Sequence, residues 1–417
     1  MSIEHCVKGH RVPILIRRFL QGDSNIMLDS RNPAFYHGTK TSPMHIDTDF
    51  EAAAIDHVAD ATTGSPLRLR LRSDNAAEFA QWFAFELVDV PSEGIDVRIE
   101  GLAGSSYPKG WVDYRVCMHA NGGEKAAWCR LPTNFDGDAL AFHAPGPAAR
   151  LRFAYFPTFD RVAEDNLVAQ ATQAGATLAT LGASALGEPI RMLSFEGRAP
   201  RSRLWFMARQ HPGESQGGYC LEGLVQALCG ELRPVWEIGG HAVHVVVNVN
   251  PDGVRLGNLR TNARGANLNR CWDREYPDAP ETAAVRRRMQ ALGLDLLVDF
   301  HGDEVLPHVF SVGADGSPAW TPRLQVLRRA FDEDLLRRSP VFQTARGYSV
   351  DRPDHASPKK CIPWVAEQFD ALAMTIELPF KESADRPRDD ADAAAYARTF
   401  GRAVLDTALA LAPSLRP

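Results

Sequence analysis

The chain lacks most of what would mark a specialised environment. Its seven cysteines are scattered, odd in number and never spaced Cys-x-x-Cys, which excludes a disulfide framework and a thiolate zinc site. No run of about 18 apolar residues occurs, so no membrane span is expected. The apolar stretch Val12-Pro13-Ile14-Leu15-Ile16 is too short for a signal-peptide core and runs into Arg17 and Arg18. An excess of one charge is missing too. The 46 basic and 52 acidic residues leave a net −6, which gives no reason to expect nucleic acid or an anionic membrane as partner. A cytoplasmic, reduced protein is the expectation. What is present is ordinary for a globular chain, 45% hydrophobic and 24% charged over 417 residues. At roughly 150 residues per domain, that length suits two or three domains.

Met1 to about Arg11 shows no clear periodicity, and residues 1–20 are read as an unstructured leader. Residues 21–155 read as short strands between frequent turns. Ile99 lies in the alternating Val97–Glu100, Trp111–Cys117 alternates likewise, and Pro91-Ser92-Glu93-Gly94 and Asn121-Gly122-Gly123 are turn signals. Such spacing predicts an all-β sandwich domain. No catalytic constellation is visible in it. Beyond Phe159 the pattern changes. A helix is predicted over Asp160–Leu181 with Asp160 as its cap, and strands then alternate with helices to the end. Residues 156–417 are therefore expected to form an α/β domain, a mixed and mostly parallel sheet flanked by helices.

The chemistry lies in this second part. In Arg209-Gln210-His211-Pro212-Gly213-Glu214 a strand ends and a helix follows, and His211 and Glu214 stand three residues apart. Val298-Asp299-Phe300-His301-Gly302 is a second strand end. Two His and one Glu suit a catalytic zinc with one position left for water, and strand C-termini of α/β sheets are where ligands gather. A His-x-x-Glu pair is common by chance, and a lone His after a strand is more often a hydrogen-bonded structural residue. Agreement among several segments is what carries weight. In Thr375-Ile376-Glu377-Leu378-Pro379 a carboxylate ends an apolar strand. Such a group has either a basic partner or a proton-transfer role. Between 250 and 270 stand four arginines and five asparagines. They form either a solvated basic loop or donors for a substrate carboxylate.

Taken in order, His-Pro-Gly-Glu, Asn-Pro-Asp-Gly, Gly-Asn-x-Arg, Asn-x-Asn-Arg, Asp-Phe-His-Gly and Thr-Ile-Glu-Leu resemble the zinc metallocarboxypeptidase family over residues 205–380. Asn75–Phe85 and Tyr107-Pro108-Lys109-Gly110-Trp111 are similar to the N-terminal β-sandwich of its cytosolic carboxypeptidase branch, the bacterial members especially. The resemblance implies one Zn²⁺ per chain held by His211, Glu214 and His301. It implies Glu377 as general base, Arg260 as the group that polarises the scissile carbonyl, and Asn269 and Arg270 as the grip on a free C-terminal carboxylate. The substrate would be a peptide or protein C-terminus, at a peptide or isopeptide bond, with a preference for acidic end residues. Lys359 and Lys360 are the candidates for receiving such a side chain, with Arg352 and Arg264 as alternatives. Two departures stand out. Asn267 occupies the position where the family often has an Asp behind a zinc-binding His. About 22 residues before Glu377, where secreted members place a Tyr, stands His355; Tyr348 is the nearest upstream candidate.

Two other readings compete. A zinc amidohydrolase that deacylates N-acyl amino acids shares the ligand pattern, but the sandwich ahead of the site argues against it. A non-catalytic peptide-binding protein on the same scaffold would have no need of Glu377.

Overall fold

A computed structural model describes residues 43–120, 127–197, 199–237, 240–349, 352, 355–385 and 392–416. The expected leader, the first residues of the β domain up to 42 and the Asn121-Gly122-Gly123 turn lie outside the described residues. The N-terminal domain holds two five-stranded sheets. Across the first run His45–Asp47, Ala84–Val90, Ala148–Ala154, Cys117–Ala120 and Cys129–Arg130. Across the second run Asp56–Ala59, Leu67–Arg70, Ile95–Glu100, Leu140–Ala144 and Thr133–Phe135. Leu67 and Leu69 are buried while Arg68 and Arg70 face solvent, the period-two pattern of a half-covered sheet. The sheets meet where Phe142 lies 5.4 Å from Phe153, which stacks in turn on Phe85 at 5.2 Å. Burying each such ring stabilises the fold by about 1.5–3 kcal/mol.

The alternation across Trp111–Cys117 does not make a strand. Pro108–Trp111 is a 3-10 turn, Asp113 has φ 58°, and the strand begins only at Cys117. Pro108 sets the first helical position. Trp111 and Tyr114, three residues apart, both turn inward with their rings edge to face at 5.5 Å. The apolar pattern there serves a turn with a period near three.

The C-terminal domain is built on one seven-stranded mixed sheet. Its order is Thr177–Ala183, Pro189–Glu196, His241–Val246, Ser202–Ala208, Leu296–Asp303, Leu372–Pro379 and Phe310–Val312. The four strands from His241–Val246 to Leu372–Pro379 run parallel and the outer ones antiparallel. Leu204, Phe206 and Val298 belong to the core under helices Gln216–Cys229 and Ala395–Leu411. Trp205, Met207 and Leu297 belong to the core under Pro280–Leu292 and Cys361–Phe369. Successive residues of a strand point to opposite faces, so both sides of the sheet are covered.

The helix predicted over Asp160–Leu181 is shorter. Asp160 does cap it, accepting from Ala163 N–H at 3.1 Å, but it ends at Gln173. Gly175, at φ 100°, turns the chain into the edge strand Thr177–Ala183, a conformation that costs glycine little. The sandwich ends with Ala154 and this helix begins at Arg161; we place the division between domains at residue 155. Among the described residues no helix is long and apolar enough to cross a membrane.

Candidate metal centre

Three neighbouring parallel strands deliver the site at their C-terminal ends. Ser202–Ala208 leads into His211, Leu296–Asp303 carries His301, and Leu372–Pro379 carries Glu377. The register pairs His301 directly with Glu377, and laterally paired residues point to the same side of a sheet. Arg209 makes the elbow before His211 at φ 69°. Its guanidinium bonds the carbonyls of Pro212 (2.9 Å) and Phe159 (3.1 Å). These bonds hold a backbone conformation that costs a non-glycine residue about 1–3 kcal/mol.

His211 and Glu214 then meet across the Pro-Gly turn, Nδ1 to Oε1 at 2.7 Å. His301 Nδ1 lies 2.8 Å from Glu214 Oε2 and 3.1 Å from His211 Nδ1. Among the described residues this is the one group of three or more His, Cys, Asp or Glu side chains whose ligand atoms converge, all within 4.8 Å and all buried. Each imidazole is held from behind at Nε2, His211 by Asn267 Oδ1 (3.1 Å) and His301 by Asp299 Oδ2 (2.8 Å). That fixes which ring nitrogen faces the cluster. The donor set fits a divalent cation. Glu214 Oε2 is buried and forms no hydrogen bond of proper geometry despite its proximity to His301. Burial holds the His211 imidazole down to about 4, keeping a lone pair. Burial also opposes charge on His301, yet Asp299 and Glu214 hold its pKa well above the usual imidazole range. Buried anions this close call for a positive charge, which a metal would provide. The expected consequence concerns Asn267. Asn267→Ala should weaken zinc affinity by roughly 10–100-fold, read by competition against a coloured chelator; unchanged affinity would remove the amide from this role.

Glu377 lies 8% exposed beside this group, and no ion pair or hydrogen bond engages its carboxylate among the described residues. The alternative of a basic partner is therefore not realised. Burial pushes its pKa up to about 8, against the pull of His301. Glu304, just past His301, is also buried, with Oε1 making no hydrogen bond. Asp303 serves the turn, accepting from Val305 N–H at 2.7 Å.

Arg260 faces the same cluster. Burial opposes its charge, but Tyr107, Glu214, Glu304 and Glu377 together hold its pKa above the ordinary value. Arg270 is exposed at the rim, its Nη1 bonding the carbonyl of Asn269 at 2.6 Å. Asn269 Oδ1 accepts from Cys361 N–H at 2.9 Å. Tyr348 is 51% exposed but its hydroxyl donates to Asp303 Oδ2 at 2.5 Å. Lys360 and Tyr348 line a cavity of about 430 Å³. Lys359 is exposed, and its carbonyl accepts from Trp272 N–H at 3.1 Å. Arg264 turns away to the carbonyl of Pro277 at 2.9 Å, and Arg352 is exposed.

The β domain is not empty of chemistry, contrary to the sequence reading. The rings of Phe79 and Tyr107 lie 5.8 and 5.9 Å from the guanidinium carbon of Arg260, within cation–π range. Buried Asp74 accepts from the backbone N–H groups of Leu259 (2.6 Å), Arg260 (2.9 Å) and Thr261 (2.9 Å), and from Thr261 Oγ1 (2.9 Å). Gly257 and Gly265, at φ 69° and 79°, let the same loop touch the β domain. A Cβ at either would meet the carbonyl of Ala53 or Ala76 at 2.5 and 2.3 Å.

Comparison with known proteins agrees with this architecture. Residues 46–156 match the cytosolic carboxypeptidase N-terminal domain, and residues 165–388 match the zinc carboxypeptidase family. An uncharacterised protein of Zymomonas mobilis is 32% identical over 82% of this chain and 90% of its own length. The crystal structure of a metallo-carboxypeptidase from Burkholderia cenocepacia superposes with a TM-score of 0.82 at 34% identity, covering 88% of this chain and 99% of that one. A metallo-carboxypeptidase from Pseudomonas aeruginosa, solved in complex with (2-guanidinoethylmercapto)succinic acid, gives 0.82 and 34% over 89% of this chain and 100% of that one.

Proposed function

Since the chain belongs to the zinc carboxypeptidase family, we propose that it is a zinc-dependent exopeptidase that hydrolyses the C-terminal peptide or isopeptide bond of its substrate, with one Zn²⁺ per chain. The observation that carries this is the register pairing of Glu377 with His301 beside the converged His211, Glu214 and His301. Those three residues would hold the ion. When bound, zinc supplies Lewis acidity toward a water and a carbonyl oxygen. Glu377, buried and unpaired, takes the proton of the attacking water and passes it to the departing amine. Arg260 stabilises negative charge as it develops on the scissile carbonyl. Asn269 and Arg270 receive the free carboxylate, Arg270 from the rim and Asn269 through its side-chain amide N–H group, whose orientation is set by the bond from Cys361 N–H to Oδ1. The dicarboxylic acid bound by the Pseudomonas relative fits a pocket that accepts such an end. An acidic end residue is favoured by Lys360 lining the neighbouring cavity; Lys359, pointing to solvent, contributes less.

A peptide panel varying only in the last residue, each also prepared with an amidated terminus, tests this. Release of single end residues should stop on exhaustive chelation, return with Zn²⁺, and fail on amidated peptides. The Lys360→Ala variant should lower the ratio of kcat/KM for Glu-ended over Ala-ended peptides by about tenfold. Cleavage of N-acyl amino acids with no release of peptide end residues would favour the amidohydrolase reading. Binding without turnover would favour a retired scaffold.

A further inference from the structure

The tyrosine expected near Tyr348 has its hydroxyl committed to Asp303. Another tyrosine stands against Arg260. Tyr107 arrives from the β domain, and its ring lies over Arg260. Its hydroxyl makes no hydrogen bond among the described residues, whereas its backbone is gripped twice. Buried Gln81 accepts from Tyr107 N–H at 3.0 Å and donates to its carbonyl at 3.2 Å. The segment that follows is clamped by the catalytic domain. Lys381 Nζ donates to the carbonyls of Lys109 (3.4 Å) and Val112 (2.9 Å). Gly110 packs so closely that a Cβ there would meet the carbonyl of Glu304 at 2.7 Å.

We infer that Tyr107 is a substrate-binding residue, donating its free hydroxyl to the terminal carboxylate that Asn269 and Arg270 receive beside Arg260. A fixed main chain, an unengaged phenol and the Arg260 guanidinium against its ring suit a carboxylate site: a neutral donor adds direction to a charge that arginines attract from any angle. Burial pushes the Tyr107 pKa up to about 12, so the group stays a donor through the neutral range. The assignment rests on the exopeptidase reading above, and it brings the β domain into substrate recognition.

Tyr107→Phe removes only the hydroxyl. Against peptides with a free terminus, kcat/KM should fall roughly 10–100-fold, mostly through KM, with zinc content and melting temperature unchanged. Calorimetry with free amino acids and their α-amides gives a reading that needs no turnover. The variant should lose affinity for the acids by about tenfold or more and leave the amides as they were. Wild-type affinity for the acids would overturn the assignment. So would a lowered melting temperature, since the hydroxyl would then serve the fold. If the wild-type protein cleaved no peptide yet showed the acid-specific loss in the variant, the exopeptidase reading would fail and the Tyr107 site would stand.

Discussion

Glu377→Gln is expected to bind zinc as the wild type does and to lose peptide hydrolysis by about three to four orders of magnitude. The substitution keeps shape and volume and takes away only the ability to accept a proton. Glu377 cannot be excused as half of a structural ion pair, because among the described residues no basic side chain bonds it directly, although His301 and Arg260 act on its charge. Its place opposite His301 in a parallel register, two strands deep in a sheet covered on both sides, leaves little freedom to move. Burying a carboxylate without a partner opposes folding, so the Gln variant should melt at the same temperature or higher. Metal analysis, melting and kcat on one preparation settle the matter. A Gln variant that turns over at the wild-type rate would remove Glu377 from the chemistry.

The second large effect is expected at a residue outside the His211, Glu214 and His301 group. Asp74→Ala should destabilise the protein by about 3–5 kcal/mol and cut kcat/KM by roughly a hundredfold or more. One carboxylate accepts four hydrogen bonds from Leu259, Arg260 and Thr261. Deleting it strands buried donors on both sides of Arg260, and a guanidinium displaced by about an ångström no longer meets the carbonyl it serves. Asp74→Asn, which keeps one oxygen, should fall between. The decisive reading is kinetic. A variant that is destabilised but hydrolyses normally well below its melting temperature would show that Asp74 holds the domains together without positioning Arg260.

These two residues also show what a sequence discloses. His211 and His301 were readable because each belongs to the C-terminal end of an apolar strand, and Glu214 because His-x-x-Glu across Pro-Gly is a local geometry. Glu377 was readable as a charge in an apolar run. Asp74 carried no such mark, and Tyr107 stood out only as part of the Tyr107–Trp111 resemblance, which gave it no role. Their partner Arg260 lies 186 residues after Asp74, and nothing in Asp74-Asn75-Ala76 distinguishes an anchor from a turn. Trp111–Cys117 misled for a related reason: alternating aromatics score as a strand, while the side chains were meeting at a spacing of three. The donor side of the interface was partly visible. The arginines and asparagines of 250–270 stand out as unusual for a connector, and Asn258 does accept from Asn75 N–H at 3.1 Å. Their counterpart was not findable without the fold.

The Asp74 anchor has a consequence for how the protease comes into being. The strands that lead to His211, His301 and Glu377 pair within their own half of the chain, but the loop carrying Arg260 finds the acceptor for its backbone N–H groups, the Asp74 carboxylate, in the other half. Contacts of such long sequence separation form late. During synthesis the β domain leaves the ribosome first and folds as a unit, so it is ready to receive the loop when that loop emerges. Maturation of the peptidase is thus tied to the integrity of its own N-terminal half. A chain misfolded there would keep the segments of His211, Glu214 and His301 but lose the carboxylate that anchors the Arg260 loop.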